Sequence, residues 1–223
     1  FATRVLSAFN GAFAQAQVVG NPVRNTIASL PVPVVRYQAR RVQKTKLHLL
    51  ILGGSLGAKA INELVPKALA QLPSDSRPEV WHQTGKDHAQ TTAALYEQQQ
   101  VTAIVEAFID DMAAAYGWAD VIVCRAGALT VSELMAAGVA AILVPLPSAI
   151  DDHQTHNAAI LSSAGAGISV AQRELTPAKL AALLMTHINE PEQSMNMAEK
   201  ARLLALPNAA ETVANICVEV ARG

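Results

Sequence analysis

The sequence predicts an α/β fold, a parallel sheet with helices on both faces. Hydrophobic residues make up 51% of the 223 residues but aromatic ones only 4%, the Ala/Val/Leu/Ile-rich profile that buried parallel strands demand. Short apolar runs alternate with longer helical patterns, as successive βαβ units with right-handed crossovers require. Glycine and small residues form the turns leaving two of those runs, at Gly53–Gly57 and Arg125–Leu129.

The elements follow in order. Arg36–Lys46, with Arg36, Arg40, Arg41, Lys44 and Lys46, reads as a solvated connection, with a membrane-facing basic segment as the alternative. Leu47–Leu52 reads as a strand, Ala58–Gln71 as a helix and Glu79–Gln83 as a strand. Thr91–Gln99 is helical, Thr102–Ala107 a strand and Met112–Trp118 a short helix. Val121–Cys124 is a strand and Leu129–Ala137 a helix stopped by Gly138. Ala141–Val144, His153–Ala164, Gly167–Val170 and Pro177–Asn189 continue the alternation. Thr176-Pro177 is a helix start, Thr as cap and Pro in the first turn. Val213, Ile216, Cys217 and Val220 fall at i, i+3, i+4 and i+7, one apolar stripe on a final helix.

A net charge of −1 argues against a dedicated nucleic-acid binder. Cys124 and Cys217 lie far apart in strand-like and helix-like segments and read as two buried thiols in a reducing compartment. No signal peptide is visible. The longest apolar stretch, Ala136 to Leu146, is interrupted by Gly138 and Pro145 and is too short to span a bilayer. Phe1 is not an initiator methionine, and Phe1–Val19 holds too little to build a domain, so the sequence is expected to be cut from a longer one.

In an open parallel sheet, ligands bind beyond the carboxyl ends of the strands. The run Cys124–Glu133 places a small-residue turn there, between strand and helix. The first N–H groups of that helix have no internal partner and sit at the positive end of its dipole, which makes an anion site. Glu133, one turn in, repels a phosphate but suits a sugar diol, so the pair points to a nucleotide; a plain strand–turn–helix with a solvated Glu is the alternative. Gly53-Gly54-Ser55-Leu56-Gly57 also follows a strand and opens a helix. It lacks the Walker A lysine and the Gly-x-Gly-x-x-Gly order. It matches the Gly-x-Ser-x-Gly nucleophile elbow, yet too little chain precedes Ser55 for that fold; phosphate cradling by Ser55 and the glycine amides suits it better.

Gly20–Arg24 is a turn carrying one cation. Brought across the cleft from Ser55, the Arg24 guanidinium would match diphosphate oxygens. Asp151–Asn157 opens a helix with Asp151, Asp152, His153 and His156, but the spacing matches no standard zinc site, and no metal or cofactor is called for. Gln154 and Asn157 lie on one helix face as amides able to hydrogen-bond sugar hydroxyls. In Phe108–Met112, the backbone of Ile109 could read a base edge; a capped helix start at Asp110-Asp111 is the alternative.

Together, Gly20–Arg24, Gly53–Gly57, Phe108–Asp111, Cys124–Glu133 and Asp152–Asn157 resemble, in order, the C-terminal donor-binding half of the MurG family of bacterial glycosyltransferases. The resemblance implies a GT-B architecture, two Rossmann-like domains with the active site between them. It implies inverting transfer of N-acetylglucosamine from UDP-N-acetylglucosamine to lipid I, giving lipid II, by a peripheral protein on the cytoplasmic face of the bacterial inner membrane. On that likeness Arg24 and Ser55 contact the diphosphate, Ile109 reads uracil, and Ala128, Leu129 and Thr130 offer amides to phosphate and sugar. Glu133 holds the ribose, while Gln154 and Asn157 contact N-acetylglucosamine. His153 stands where better-known members carry Gln. Residues 1–20 would be the end of an acceptor domain and its linker, 21–206 the donor domain, and 207–223 a helix able to pack back on the acceptor domain. The catalytic base would lie in that other domain, so this chain alone would bind donor and transfer nothing. A UDP-N-acetylglucosamine epimerase using Asp151, Asp152 and His156, and a non-catalytic nucleotide-binding module, are the competing readings.

Overall fold

The computed structural model describes residues 2–10, 15–54, 58–147 and 152–222. A two-residue parallel pair, β1 (Leu6–Ser7) and β2 (Gln17–Val18), is followed by α1 (Asn25–Ala28) and α2 (Pro33–Gln43). Then come β3 (His48–Leu52), α3 (Lys59–Ala70), β4 (Glu79–Gln83), α4 (Ala89–Gln98), β5 (Ile104–Glu106), α5 (Met112–Trp118) and β6 (Val121–Cys124). The chain finishes with α6 (Ala128–Ala137), β7 (Ala140–Leu143), α7 (His153–Ser163), β8 (Ile168–Ser169), α8 (Pro177–Asn189), α9 (Pro191–Leu203) and α10 (Ala209–Arg222).

β3 to β8 form one parallel sheet in the order β5-β4-β3-β6-β7-β8. The chain builds outward from β3 in one direction, then restarts at β6 in the other. The switch point therefore lies between β3 and β6, where doubly wound sheets open a ligand crevice. Strand side chains alternate between two cores. Leu50, Leu52, Ile122, Cys124, Ala141 and Leu143 enter one with Tyr116 and Leu134; Leu49, Ile51, Val121, Val123, Ala140 and Ile142 enter the other with Ile61, Tyr96 and Leu184. Both faces of the sheet are thus buried, as the continuous apolar runs predict.

The end strands are shorter than expected, β5 covering Ile104–Glu106 and β8 only Ile168–Ser169. Thr176 caps α8 by accepting from Lys179 N–H at 3.1 Å, as its sequence predicts. Cys124 is buried, but Cys217 is exposed, which corrects the expectation of two buried thiols. Of α10 only Ala209 is buried, so the predicted stripe is largely uncovered, with Val218 and Val220 exposed. No helix among the described residues is long and apolar enough to cross a membrane.

The basic segment departs most from expectation. The segment Arg36–Lys46, expected to be a solvated connection, is helical to Gln43 as part of α2, with Arg36 and Tyr37 buried, while Arg41, Lys44 and Lys46 are exposed as expected. Arg36 donates to the carbonyls of Tyr116, Ala137 and Gly138, at the C-terminal ends of α5 and α6. Arg40 bonds Asp120 and the Gly117 carbonyl, and Arg202 bonds the carbonyls of Ala136 and Ala28. Helix C-termini carry unsatisfied carbonyls and partial negative charge, so guanidinium groups suit them. These arginines hold the pole of the sheet opposite the strand carboxyl ends.

A buried polar network ties α3 and α4 to β4. Asn62 Nδ2 donates to the Thr84 carbonyl at 2.9 Å, which turns its Oδ1 toward His82 Nε2 at 3.0 Å. The His82 proton therefore sits on Nε2, and Nδ1 accepts from the Tyr96 hydroxyl at 2.9 Å. Burial pushes the pKa of His82 down to about 3 and that of His187 down to about 4. Below pH 6.5 the unfolded chain takes up protons at both rings that the folded chain refuses, so stability falls as pH drops through that window. We expect the urea midpoint to decline between about pH 6.5 and pH 4, with both imidazoles still neutral by NMR at pH 5. Titration of either ring near its ordinary 6.5 would contradict this.

Candidate functional site

The β6–α6 junction sits at the switch point. Gly127 is the N-cap of α6, with φ −62° and ψ 145°, and no side chain caps the helix. Among the described residues, the N–H groups of Ala128, Leu129 and Thr130 have no acceptor, and Val131 N–H is the first to bond back, to the Gly127 carbonyl at 2.9 Å. Three converging amides at the positive end of a ten-residue helix therefore face the strand carboxyl ends.

Glu133 is not a solvated surface charge. It is buried, with its Oε2 accepting from the Tyr116 hydroxyl at 3.0 Å and its Oε1 3.4 Å from Arg24 Nη2. Arg24 itself is more than half exposed, so most of its guanidinium stays available. Gly20 makes the turn that brings Arg24 there. It adopts φ +83°, and a Cβ would lie 2.9 Å from Leu206 Cβ. Asn21 then ties the turn to α6 by donating to Ser132 Oγ at 3.0 Å.

The second glycine turn starts beside this junction. Gly53 N–H donates to the Gln83 carbonyl at 2.8 Å, and a Cβ there would meet the same oxygen at 3.0 Å. Gly54 follows at φ +73°. Backbone passing this closely over β4 explains why glycine is required. Ser55, expected to meet a diphosphate, lies outside the described residues, as do Leu56 and Gly57.

Ile109 lies in the β5–α5 connection with its side chain buried in the core and no hydrogen bond to its backbone among the described residues. Asp111 caps α5, accepting from Ala114 N–H at 2.9 Å, so the capped helix start is also present.

At α7, Gln154 Oε1 accepts from Ala126 N–H at 3.1 Å and from Leu146 N–H at 2.9 Å. Asn157 Nδ2 donates to the Ala126 carbonyl at 3.0 Å. These amides clamp the β6–α6 loop, a task that sequence reasoning missed, and among the described residues Gln154 Nε2 and Asn157 Oδ1 make no further hydrogen bond. Asp152 is the N-cap of α7 but makes no side-chain cap; Asp151 is outside the described residues. His153 begins α7 and lines a cavity of about 380 Å³ with Ala128, His156, Asn157, Ser7 and Phe9.

Two further residues went unnoticed. Arg125 braces the loop after β7, donating to the Val144 carbonyl at 3.0 Å and to Gln172 Oε1 at 2.6 Å. Tyr116 reads in sequence only as a core aromatic of a short helix, and nothing local marks its bond to Glu133. A cavity of about 370 Å³ lies at the opposite pole among Tyr37, Arg40, Asp120 and His187. Its charges are largely paired with each other, Arg40 with Asp120 and Arg41 with Glu192. Among the described residues, no group of three or more His, Cys, Asp or Glu could hold a metal ion.

Residues 48–213 match the model of the glycosyltransferase family 28 C-terminal domain. The chain is 64% identical over 227 residues to UDP-N-acetylglucosamine--N-acetylmuramyl-(pentapeptide) pyrophosphoryl-undecaprenol N-acetylglucosamine transferase of Cellvibrio japonicus. It is 51% identical over 225 residues to the protein of the same name from Pseudomonas entomophila. All of this chain aligns in both cases, and it spans 62% and 61% of those relatives. Among solved structures, Acinetobacter baumannii MurG matches with a TM-score of 0.83 and 44% identity, over 96% of this chain and 60% of that one. Anabaena HepE, solved with UDP and glucose, matches at 0.61 and 14% identity over 94% of this chain and 58% of its own, a likeness of fold alone.

Proposed function

We propose, since the chain belongs to glycosyltransferase family 28 as its C-terminal domain, that it supplies the donor site for N-acetylglucosamine transfer. The donor is UDP-N-acetylglucosamine and the acceptor lipid I, giving lipid II with inversion at the sugar. The two curated relatives carry the corresponding transferase name. What carries the reading in this chain is the start of α6. Three amides unpaired among the described residues and, one turn on, a buried carboxylate make the complement of a diphosphate followed by a ribose diol.

In this reading the amides of Ala128, Leu129 and Thr130, with Arg24 and Ser55, meet the negative charge that grows on UDP as it leaves. Donors already aimed at that charge stabilise the transition state without reorganising. Glu133 takes the ribose hydroxyls and the Ile109 backbone the uracil edge. Gln154 Nε2 and Asn157 Oδ1 reach the sugar, with His153 beside them. Residues 21–206 form the donor domain, 1–20 end an acceptor domain, and the uncovered stripe of α10 packs back on that domain. The acceptor domain would bring the general base that takes the acceptor proton, and would hold the protein to the cytoplasmic face of the inner membrane.

The test is UDP release by the full-length protein given UDP-N-acetylglucosamine and lipid I. Release dependent on both substrates is expected; release independent of lipid I, or hydrolysis alone, would overturn the reading. The clamp made by Gln154 adds a second expectation. Gln154→Ala removes the acceptor for Ala126 and Leu146 N–H as well as the sugar contact. UDP binding should weaken by a few-fold and UDP-N-acetylglucosamine binding by roughly tenfold, read by calorimetry. Equal losses for both ligands would leave Gln154 only its loop.

A further inference from the structure

We propose that Tyr116 is a positioning residue for nucleotide binding: its buried hydroxyl holds Glu133 Oε2 inward and so presents Oε1 to the ribose. The inference rests on the reading of Glu133 as the ribose partner.

Tyr116 is fully buried, and its hydroxyl lies 3.0 Å from Glu133 Oε2. The tyrosine cannot easily move away. Its own carbonyl accepts from Arg36 at 3.3 Å, and its ring is part of the core beneath α5 and α6. Glu133, by contrast, extends from α6 on a stem of several rotatable bonds, and its other described partner, Arg24, is a more than half-exposed group at 3.4 Å. The orientation of the carboxylate is therefore set from the tyrosine side.

A buried carboxylate oxygen without a donor is costly, so the hydroxyl holds Oε2 where it can accept that bond. Burial, and then the neighbouring Glu133 charge, raise the Tyr116 pKa well above its ordinary 10, which keeps the hydroxyl a donor. A 2′,3′-diol offers two O–H donors, and a fixed carboxylate oxygen at the end of that bond accepts them in one geometry.

The experiment compares UDP with 2′,3′-dideoxyuridine 5′-diphosphate by calorimetry on the full-length protein, with Tyr116→Phe and Glu133→Gln beside the parent. The ratio of the two affinities isolates the ribose hydroxyls. Because it is taken on one preparation, a partly unfolded variant changes the stoichiometry and not the ratio. The parent is expected to prefer UDP by roughly tenfold, and Tyr116→Phe to lose most of that preference while dideoxy binding stays within about twofold. Glu133→Gln should lose it too. If Glu133→Gln loses the preference and Tyr116→Phe keeps it, or if Tyr116→Phe weakens both ligands equally, the tyrosine has only a packing role and the inference is wrong. If the parent shows no preference, the ribose reading itself fails and the inference falls with it.

Discussion

Arg36→Met should cost about 3 kcal/mol of unfolding free energy, because it strips donors from three buried carbonyls at once. Arg36 is 8% exposed and serves Tyr116 of α5 and Ala137 and Gly138 at the end of α6. Burial lowers its pKa to about 10, so it stays charged at neutral pH. Methionine fills similar volume and removes the cost of burying that charge, which offsets part of the loss. The carbonyls gain no substitute donor, and their orphaning dominates. Urea unfolding of the two proteins measures the difference; a change below about 1 kcal/mol would mean that water replaces the guanidinium.

Glu133→Ala carries the largest expected functional effect. Losing a hydrogen bond to a charged group costs about 1.5–3 kcal/mol, so UDP affinity should fall about tenfold or more. The same change leaves the Tyr116 hydroxyl buried without its acceptor, and roughly 1–3 kcal/mol of stability should go with it. A melt recorded with the titration separates the two consequences. Stability lost with UDP affinity intact would make Glu133 a structural partner of Tyr116 alone.

The sheet was legible because its strands are buried on both faces. Leu49–Leu52, Val121–Cys124 and Ala140–Leu143 could not be read as anything amphipathic, and glycine turns mark where two of them end. The helix α2 was not legible, because its arginines are satisfied by carbonyls about 80 to 100 residues away. A cluster of cations looks solvated until those partners are seen. The polar helix α9 escaped for a related reason: its buried side is small, Ser194, Ala198 and Ala201 with Met197, and Pro191 at its first turn was its clearest local signal.

The site divides the same way. Its anion-binding frame follows from backbone placed at strand ends, which glycine spacing reveals. Its side-chain division of labour does not, since Gln154 and Asn157 bind the Ala126 backbone and Glu133 binds Tyr116. Those bonds join segments 17 to 31 residues apart and depend on how α5, α6 and α7 pack.

The donor site is tested most directly by a calorimetric titration of this chain, without added metal, using UDP, UDP-N-acetylglucosamine and UDP-N-acetylgalactosamine. Binding of the first two, with clear preference over the third, is the predicted result: a donor site that reads both the nucleotide and the sugar 4-hydroxyl. Equal binding of the two sugar nucleotides would contradict the sugar assignments of Gln154 and Asn157. No binding of any ligand, by this chain and by the full-length protein alike, would contradict the donor site itself.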